Sequence, residues 1–338
     1  MSLRVLYIGG TGNISTACVE LSRERGHAVT VLNRGQRRVG LEGRVEEIRG
    51  DRNEPALLRR VAEGARYDAV VNFLGFSVEQ VETDIAAFAG RVGQYVFISS
   101  ASAYQKPPDD YRISESTPLH NPYWEYSRHK IACEARLMRA HGEQAFPVTI
   151  VRPSFTYGPT WIPAAVGGHG YTLVDRIRKG RPIVSHGDGS SLWVMTHTTD
   201  FARGLVGLLG QPQASGEAFH ITSEEVLTWD QIYRTLGRAA GAEPEIVHVP
   251  SDFIATVEPV FAGTLLGDKA HSVVFDNGKI KRFVPDYRAV VSLAEGTARS
   301  IAWYDAEPAR RAVDQEADRS LDRIIRLYRR GLAYEAAS

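Results

Sequence analysis

The sequence predicts an α/β chain built on a doubly wound parallel sheet, with a smaller C-terminal lobe. In the first half, apolar β-branched runs alternate with amphipathic stretches, the pattern of a sheet covered by helices on both faces. The first run opens into a glycine-rich turn, "YIGGTGNIS". The second half loses this alternation and carries Gly/Pro-rich stretches near 159–170. A chain of 338 residues can hold one large domain, or a core domain with a lobe, around a sizeable apolar core.

The strand candidates, in order, are "RVLYIGG", "AVTVLNR", "VEEIRGD", "YDAVVNFLGF", "QYVFISSASAY" and "PVTIVRP". Between them, "STACVELSRERG" reads as a helix with Ala17, Cys18 and Leu21 on one stripe and Gly26 as its stop. "ALLRRVAEG", "VETDIAAFAGRV" and a longer stretch from Trp124 to His141 supply the other helices. Further on, "TWIPAAVGGHGYTL" reads as a loop and "AFHITSEEVLTWDQIYRTLGRAAG" as a strand followed by a helix. The last thirty residues read as an amphipathic, arginine-rich helix. No internal repeat interrupts this order.

Forty Lys and Arg balance forty Asp and Glu, so no overall field favours nucleic acid or an anionic membrane. Cys18 and Cys133 lie far apart, without metal-ligand spacing, and read as buried thiols of a reducing compartment. There is no basic-then-apolar leader and no apolar run of about 20 residues. The expectation is a soluble, cytoplasmic protein without metal, membrane or nucleic-acid partner.

At a strand-to-helix turn the first glycine permits the tight bend, the second lets a pyrophosphate approach the backbone, and the third lets helix pack on strand. Gly9 and Gly12 fill the first two places; Ser15 stands in the third, where its hydroxyl is free to face a phosphate. The second strand ends "VLNRG", with neutral Asn33 followed by Arg34 where an NAD site commonly has a carboxylate. Arg37 and Arg38 can add charge or remain solvated. These residues favour NADP, with NAD as the alternative. Asp51, after the third strand, suits either the adenine amino group or the cap of the helix begun near Pro55.

In "WEYSRHK", Tyr126 and Lys130 stand at i and i+4 and leave one helix face. An ammonium beside a phenol favours the phenolate, which predicts a lowered Tyr126 pKa suited to general acid–base work. Ser100, in "FISSASAY" at a strand end, can bond the same substrate oxygen. At least one of Ser99 and Ser102 is expected to satisfy backbone groups. His129 can reach substrate or lie on the helix surface, and Tyr123 and Trp124 can pack at the helix start or line the substrate pocket.

"GGTGNIS", "SSASAY", "YSRHK", "RPSFTYGP" and "GDGSSLWVMTHTTDFA" occur in the order and spacing of the extended short-chain dehydrogenase/reductases, the NAD-dependent epimerase/dehydratase family, which this chain resembles through residue 304. The resemblance implies a Rossmann domain over 1–159 and 187–222 and a substrate lobe over 160–186 and 223–338. It implies catalytic roles for Ser100, Tyr126 and Lys130, with Lys130 also on the nicotinamide ribose. Cofactor contacts then fall at Gly9, Gly12, Asn13, Ile14, Asn33, Arg34, Asp51 and Pro153. Asn72 and Phe76 follow the fourth strand, where the resemblance implies a loop bordering the nicotinamide. The implied chemistry is hydride transfer at a carbinol carbon of a sugar or nucleotide-sugar-like substrate, giving reduction, epimerisation or dehydration. A homodimer paired through helices is also implied.

The resemblance breaks at two positions. Where the family's nucleotide-sugar enzymes hold phosphate with Asn and Arg, this chain has Phe155 and Trp193. An indole cannot replace a bidentate arginine clamp, so these rings are read as substrate-binding surfaces for stacking, or as core. Arg282 and Arg288 are candidates for a replacement grip on phosphate, or surface residues. The alternative to an enzyme is a non-catalytic NAD(P)-binding or RNA-associated protein, since similar chloroplast RNA-associated proteins share the fold.

Overall fold

The computed structural model describes residues 2–37, 40–41 and 43–335, so Arg38 lies outside the described residues. The main sheet runs in the order β11-β7-β5-β4-β1-β2-β3. Its strands are β1 Arg4–Ile8, β2 Ala28–Asn33, β3 Glu46–Arg49, β4 Tyr67–Asn72, β5 Val92–Ile98, β7 Val148–Pro153 and β11 Ala218–Ile221. Every neighbouring pair is parallel. The strand order reverses at β1, beside β4, and at such a switch point a crevice forms outside the carboxyl ends of the strands.

Two-sided burial explains the near-continuous apolar strands. Val5, Tyr7, Val29, Val31, Val71 and Val96 face one core with α1 (Ser15–Glu24) and α6 (Thr198–Leu208). The alternating Leu6, Ile8, Leu32, Val70, Tyr95 and Phe97 face a second core under α2 (Pro55–Gly64), α3 (Val78–Phe88) and α4 (Glu125–Gln144). The stripe on α1 is wider than expected. Ser15, Cys18, Val19 and Ser22 are its buried residues, because the Tyr7 hydroxyl meets Ser22 Oγ at 2.6 Å. Ala17 and Leu21 are only half-buried at the edge of this packing.

A third core, around Tyr157, Trp193, Trp229, Tyr233 and Leu321, joins the lobe to short strands outside it. Short strands frame it: β8 Phe155–Tyr157, β10 Leu192–His197 and β12 Val226–Thr228 form one sheet, β9 Ile183–His186 pairs with β13 Ile246–Val249, and β6 Arg112–Ile113 with β14 Val274–Phe275. The C-terminal helix Gln315–Glu335 is clamped by buried Arg176, which donates to Asp318 at 2.7 Å and Asp322 at 2.8 Å. We propose the division into 1–159 plus 187–222 and 160–186 plus 223–338; it is supported by β11 closing the main sheet and by β9 pairing with β13. Among the described residues, no helix is long and apolar enough to cross a membrane, and no cluster of three His, Cys, Asp or Glu could hold a metal.

Candidate functional site

The glycine turn lies between β1 and α1. Gly9 has φ of +85°, and a Cβ there would stand 2.5 Å from Leu74 Cγ, so both backbone angle and space require glycine. Ser15 is not turned toward a phosphate. It is buried, its hydroxyl donates to Gly9 O at 2.7 Å, and it accepts from Gly12 N at 2.8 Å. With both capacities used, the serine fastens the turn from inside. Asn13 donates to Thr156 O at 3.0 Å, tying the turn to β8, and Ile14 precedes the first turn of α1.

From Gly9 and Gly12 a cleft of about 370 Å³ extends past Asn33, Arg34, Arg37 and Asp51. Asn33 shapes its wall: Oδ1 accepts from Gly35 N at 2.5 Å and Nδ2 donates to Glu47 at 3.1 Å. Arg34 and Arg37 are exposed at the rim. Asp51 does not cap α2, whose N-cap is Glu54; its Oδ1 accepts from Asn53 N at 2.9 Å in a tight turn. The glycine geometry, the helix N-terminus behind it and the two rim cations fit an anionic dinucleotide.

The chain also places a charged pair in this wall that its sequence does not announce. Arg52 meets Asp84 at 2.6 Å, and Asn72 and Tyr95 each donate to the other carboxylate oxygen at 2.7 Å. Burial raises the Asp84 carboxyl to about 6, opposed by Arg52 and these hydroxyl and amide donors. Asn72 therefore points into the interior network and not toward a nicotinamide. Phe76 does face the cleft, and Lys130 Nζ lies 4.6 Å from its ring centroid.

Ser100 follows β5, and Tyr126 and Lys130 sit in the first turns of α4, so strand end and helix start bring the three together. Ser100 stands near enough to Tyr126 to draw its pKa down, and its hydroxyl lies 2.9 Å from Ser102 Oγ. The lowered pKa expected for Tyr126 does not occur. Burial pushes its hydroxyl up to about 12, against the pull of Ser100 and with a further rise from Asp268. Spacing puts Tyr126 and Lys130 on one face, but Lys130 Nζ remains 5.7 Å from the ring centroid and donates to Gly75 O at 2.6 Å and Ile98 O at 2.8 Å. Burial lowers that ammonium to about 8.

The neighbouring residues resolve differently. Ser102 accepts from Ser127 at 2.7 Å, whereas Ser99 Oγ is buried without a partner, so neither hydroxyl serves a backbone group. His129 is on the helix surface, 3.7 Å from Glu125. Trp124 packs on Tyr126 with centroids 4.9 Å apart, and Tyr123 is exposed.

A family model described as the NAD dependent epimerase/dehydratase family matches residues 5–222, which contain every residue of this constellation. The chain belongs to this family. A 2′-dehydrokanamycin reductase of Streptomyces kanamyceticus is 28% identical over 289 residues, covering 85% of this chain and 80% of that protein. A chloroplast stem-loop binding protein of 41 kDa from Arabidopsis thaliana is 27% identical, covering 74% of this chain and 67% of that protein. Among solved structures, a dTDP-glucose 4,6-dehydratase of Streptomyces venezuelae shares the fold with a TM-score of 0.72 at 24% identity, over 91% of this chain and 98% of that one.

As an epimerase/dehydratase family member, the chain departs from the pattern on the lobe side. Trp193 is 2% exposed and packs on Trp229 with centroids 5.6 Å apart. It offers no face for stacking, so the core alternative applies to it. Phe155 is half-buried, with Lys269 Nζ 5.7 Å from its ring centroid and His169 edge-on at 5.4 Å. Pro153 ends β7, paired with Ile221. Arg282 and Arg288 do not replace a phosphate clamp: both are exposed, and Arg288 donates to Pro285 O and Tyr287 O, beside the core shared with α6. Lys269 was hidden to motif reading because it follows the family match. The signal that could have found it is a charged Asp-Lys pair inside the apolar, glycine-punctuated run "VFAGTLLGDKAHSVVF".

Proposed function

We propose that the protein is an NADP(H)-dependent oxidoreductase that reduces a ketone of a sugar-like substrate to the carbinol, with Ser100, Tyr126 and Lys130 as its reacting end. The observation that carries this reading is the Tyr126 phenol, held protonated by desolvation beside Ser100 and one helical turn from Lys130. Likeness to a 2′-dehydrokanamycin reductase supports the reducing direction.

The bound nicotinamide supplies the hydride. Ser100 orients the substrate carbonyl oxygen, and Tyr126, held as a phenol, gives that oxygen its proton. The phenolate left behind is stabilised by the Lys130 ammonium, fixed by Gly75 O and Ile98 O. Proton release by Lys130 near pH 8 removes that cation. Turnover in the reducing direction is therefore expected to fall as pH rises through about 8, and a kcat–pH profile from 6 to 10 checks it. Lys130→Met should lower the plateau and abolish that limb.

Arg34 and Arg37 at the rim, with no carboxylate at the end of β2, support preference for a 2′-phosphate. A hydrogen bond to a charged group contributes about 1.5–3 kcal/mol, so Arg34→Ala should weaken NADPH by about tenfold or more and leave NADH nearly unchanged. Calorimetric titration of both cofactors tests this; tighter NADH binding to the parent would overturn the NADP preference. Likeness to the chloroplast stem-loop binding protein favours a second reading, a non-catalytic binding protein. That reading predicts stem-loop RNA binding with no NADPH oxidation on any oxidised sugar.

A further inference from the structure

A π-helical turn, Leu265–Lys269, lies against the start of α4 next to Tyr126. Glycine makes this approach possible. A Cβ at Gly267 would stand 2.9 Å from Trp124 Cβ, and Asn121 donates to Gly267 O at 2.6 Å. The turn presents Asp268, whose charge reaches Tyr126, and Lys269. Lys269 Nζ lies 5.7 Å from the Phe155 ring centroid and 5.9 Å from that of Trp124, so its head sits between two aromatic walls.

The charges here do not balance. Lys106 and Lys269 are 2% and 7% exposed, and Asp268 is the carboxylate between them. Asp268 approaches Lys106 at 3.9 Å, while Lys269 has no carboxylate within ion-pair distance among the described residues. His169 and His186 add no charge at neutral pH, since burial, with Lys269 nearby, lowers both to about 4. Burial pulls both the Lys106 and the Lys269 ammonium below the usual lysine range, with Asp268 opposing; two lysines thus share one carboxylate, and buried charges are ordinarily paired. Nearby, Trp229 Nε1, His169 Nδ1 and His186 Nδ1 are buried without partners. The rings of Trp229 and His169 stand edge-on to Phe155.

We infer that Lys269 is a substrate-binding residue that grips a single oxyanion of the substrate, a sugar carboxylate or sugar phosphate, packed against Phe155 and Trp124. This rests on the reading of Ser100, Tyr126 and Lys130 as the reacting end. A lone ammonium between two aromatic rings matches one carboxylate or phosphate group better than a diphosphate, which family arrangements with paired polar anchors would hold. Lys269 thus stands in for the phosphate anchors that Phe155 and Trp193 displace.

The test uses the full chain, saturated with NADPH, and three probes: D-glucuronate, glucose 1-phosphate and D-glucose. At least one anionic probe is expected to bind about tenfold or more tighter than glucose, and which one does so identifies the oxyanion. Lys269→Met should erase this preference and Lys269→Arg should retain most of it. Without probe, Lys269→Met should melt at or above the parent, because it removes an unbalanced buried charge; a lysine with only a structural role would lower the melting temperature. Equal binding of all three probes, binding of none, or a preference that survives in Lys269→Met overturns the inference. NADPH fluorescence in the same samples reads the cofactor site separately, so its loss would count against the proposed function and not against Lys269.

Discussion

Replacing Tyr126 by phenylalanine is expected to lower turnover by about 10²–10⁴-fold, the range for removing a positioned proton donor, while NADPH binding stays near the parent value. The ring contributes packing that phenylalanine keeps, against Trp124 at 4.9 Å and Phe76 at 6.5 Å between centroids. What is lost is the hydroxyl. Steady-state kinetics with cofactor titration separates the two effects. A Tyr126→Phe enzyme turning over at the parent rate would mean that another group carries the proton.

The second large effect concerns stability. Arg152 on β7 and Glu134 on α4 form a forked ion pair with contacts of 2.6, 3.0 and 3.2 Å, and their side chains are 6% and 3% exposed. The guanidinium also lies 4.8 Å from the Tyr104 ring centroid. Arg152→Met leaves the Glu134 carboxylate buried and uncompensated, which should cost about 3–5 kcal/mol in chemical denaturation. Because much of that loss is the stranded charge, the double variant Arg152→Met/Glu134→Leu should recover most of it. The pair fastens to the sheet the helix that carries Tyr126 and Lys130, so the single variant should also raise KM and lower kcat near its melting range.

The sheet was legible because its strands are buried on both faces, which makes runs such as "RVLYI" nearly continuously apolar and β-branched. The proposed reacting end is built from local signals, strand-end Ser100 and the i,i+4 pair Tyr126 and Lys130. Spacing assigns a face, however, and says nothing of desolvation; that is why Tyr126 was expected to acidify when burial in fact holds its proton. Ser15 misled for a related reason, since a hydroxyl in a turn satisfies the nearest backbone groups before any ligand. Arg52 and Asp84, 32 residues apart, and Lys106 and Asp268, further still, meet only through tertiary packing. No periodicity marks the 262–269 segment, so the environment of Lys269 appears only in three dimensions.

The central claim is that NADPH hydride reaches a substrate carbonyl while Tyr126 supplies the proton. The direct measurement is incubation with NADPH deuterated at nicotinamide C4 and a panel of oxidised sugars that includes 2′-dehydrokanamycin, followed by mass spectrometry of the products. The parent is expected to place one deuterium on a carbinol carbon of at least one panel member, and Tyr126→Phe to place about a hundredfold less in the same time. NADPH that binds but gives no deuterium to any oxidised sugar, or equal transfer by Tyr126→Phe, would contradict the account.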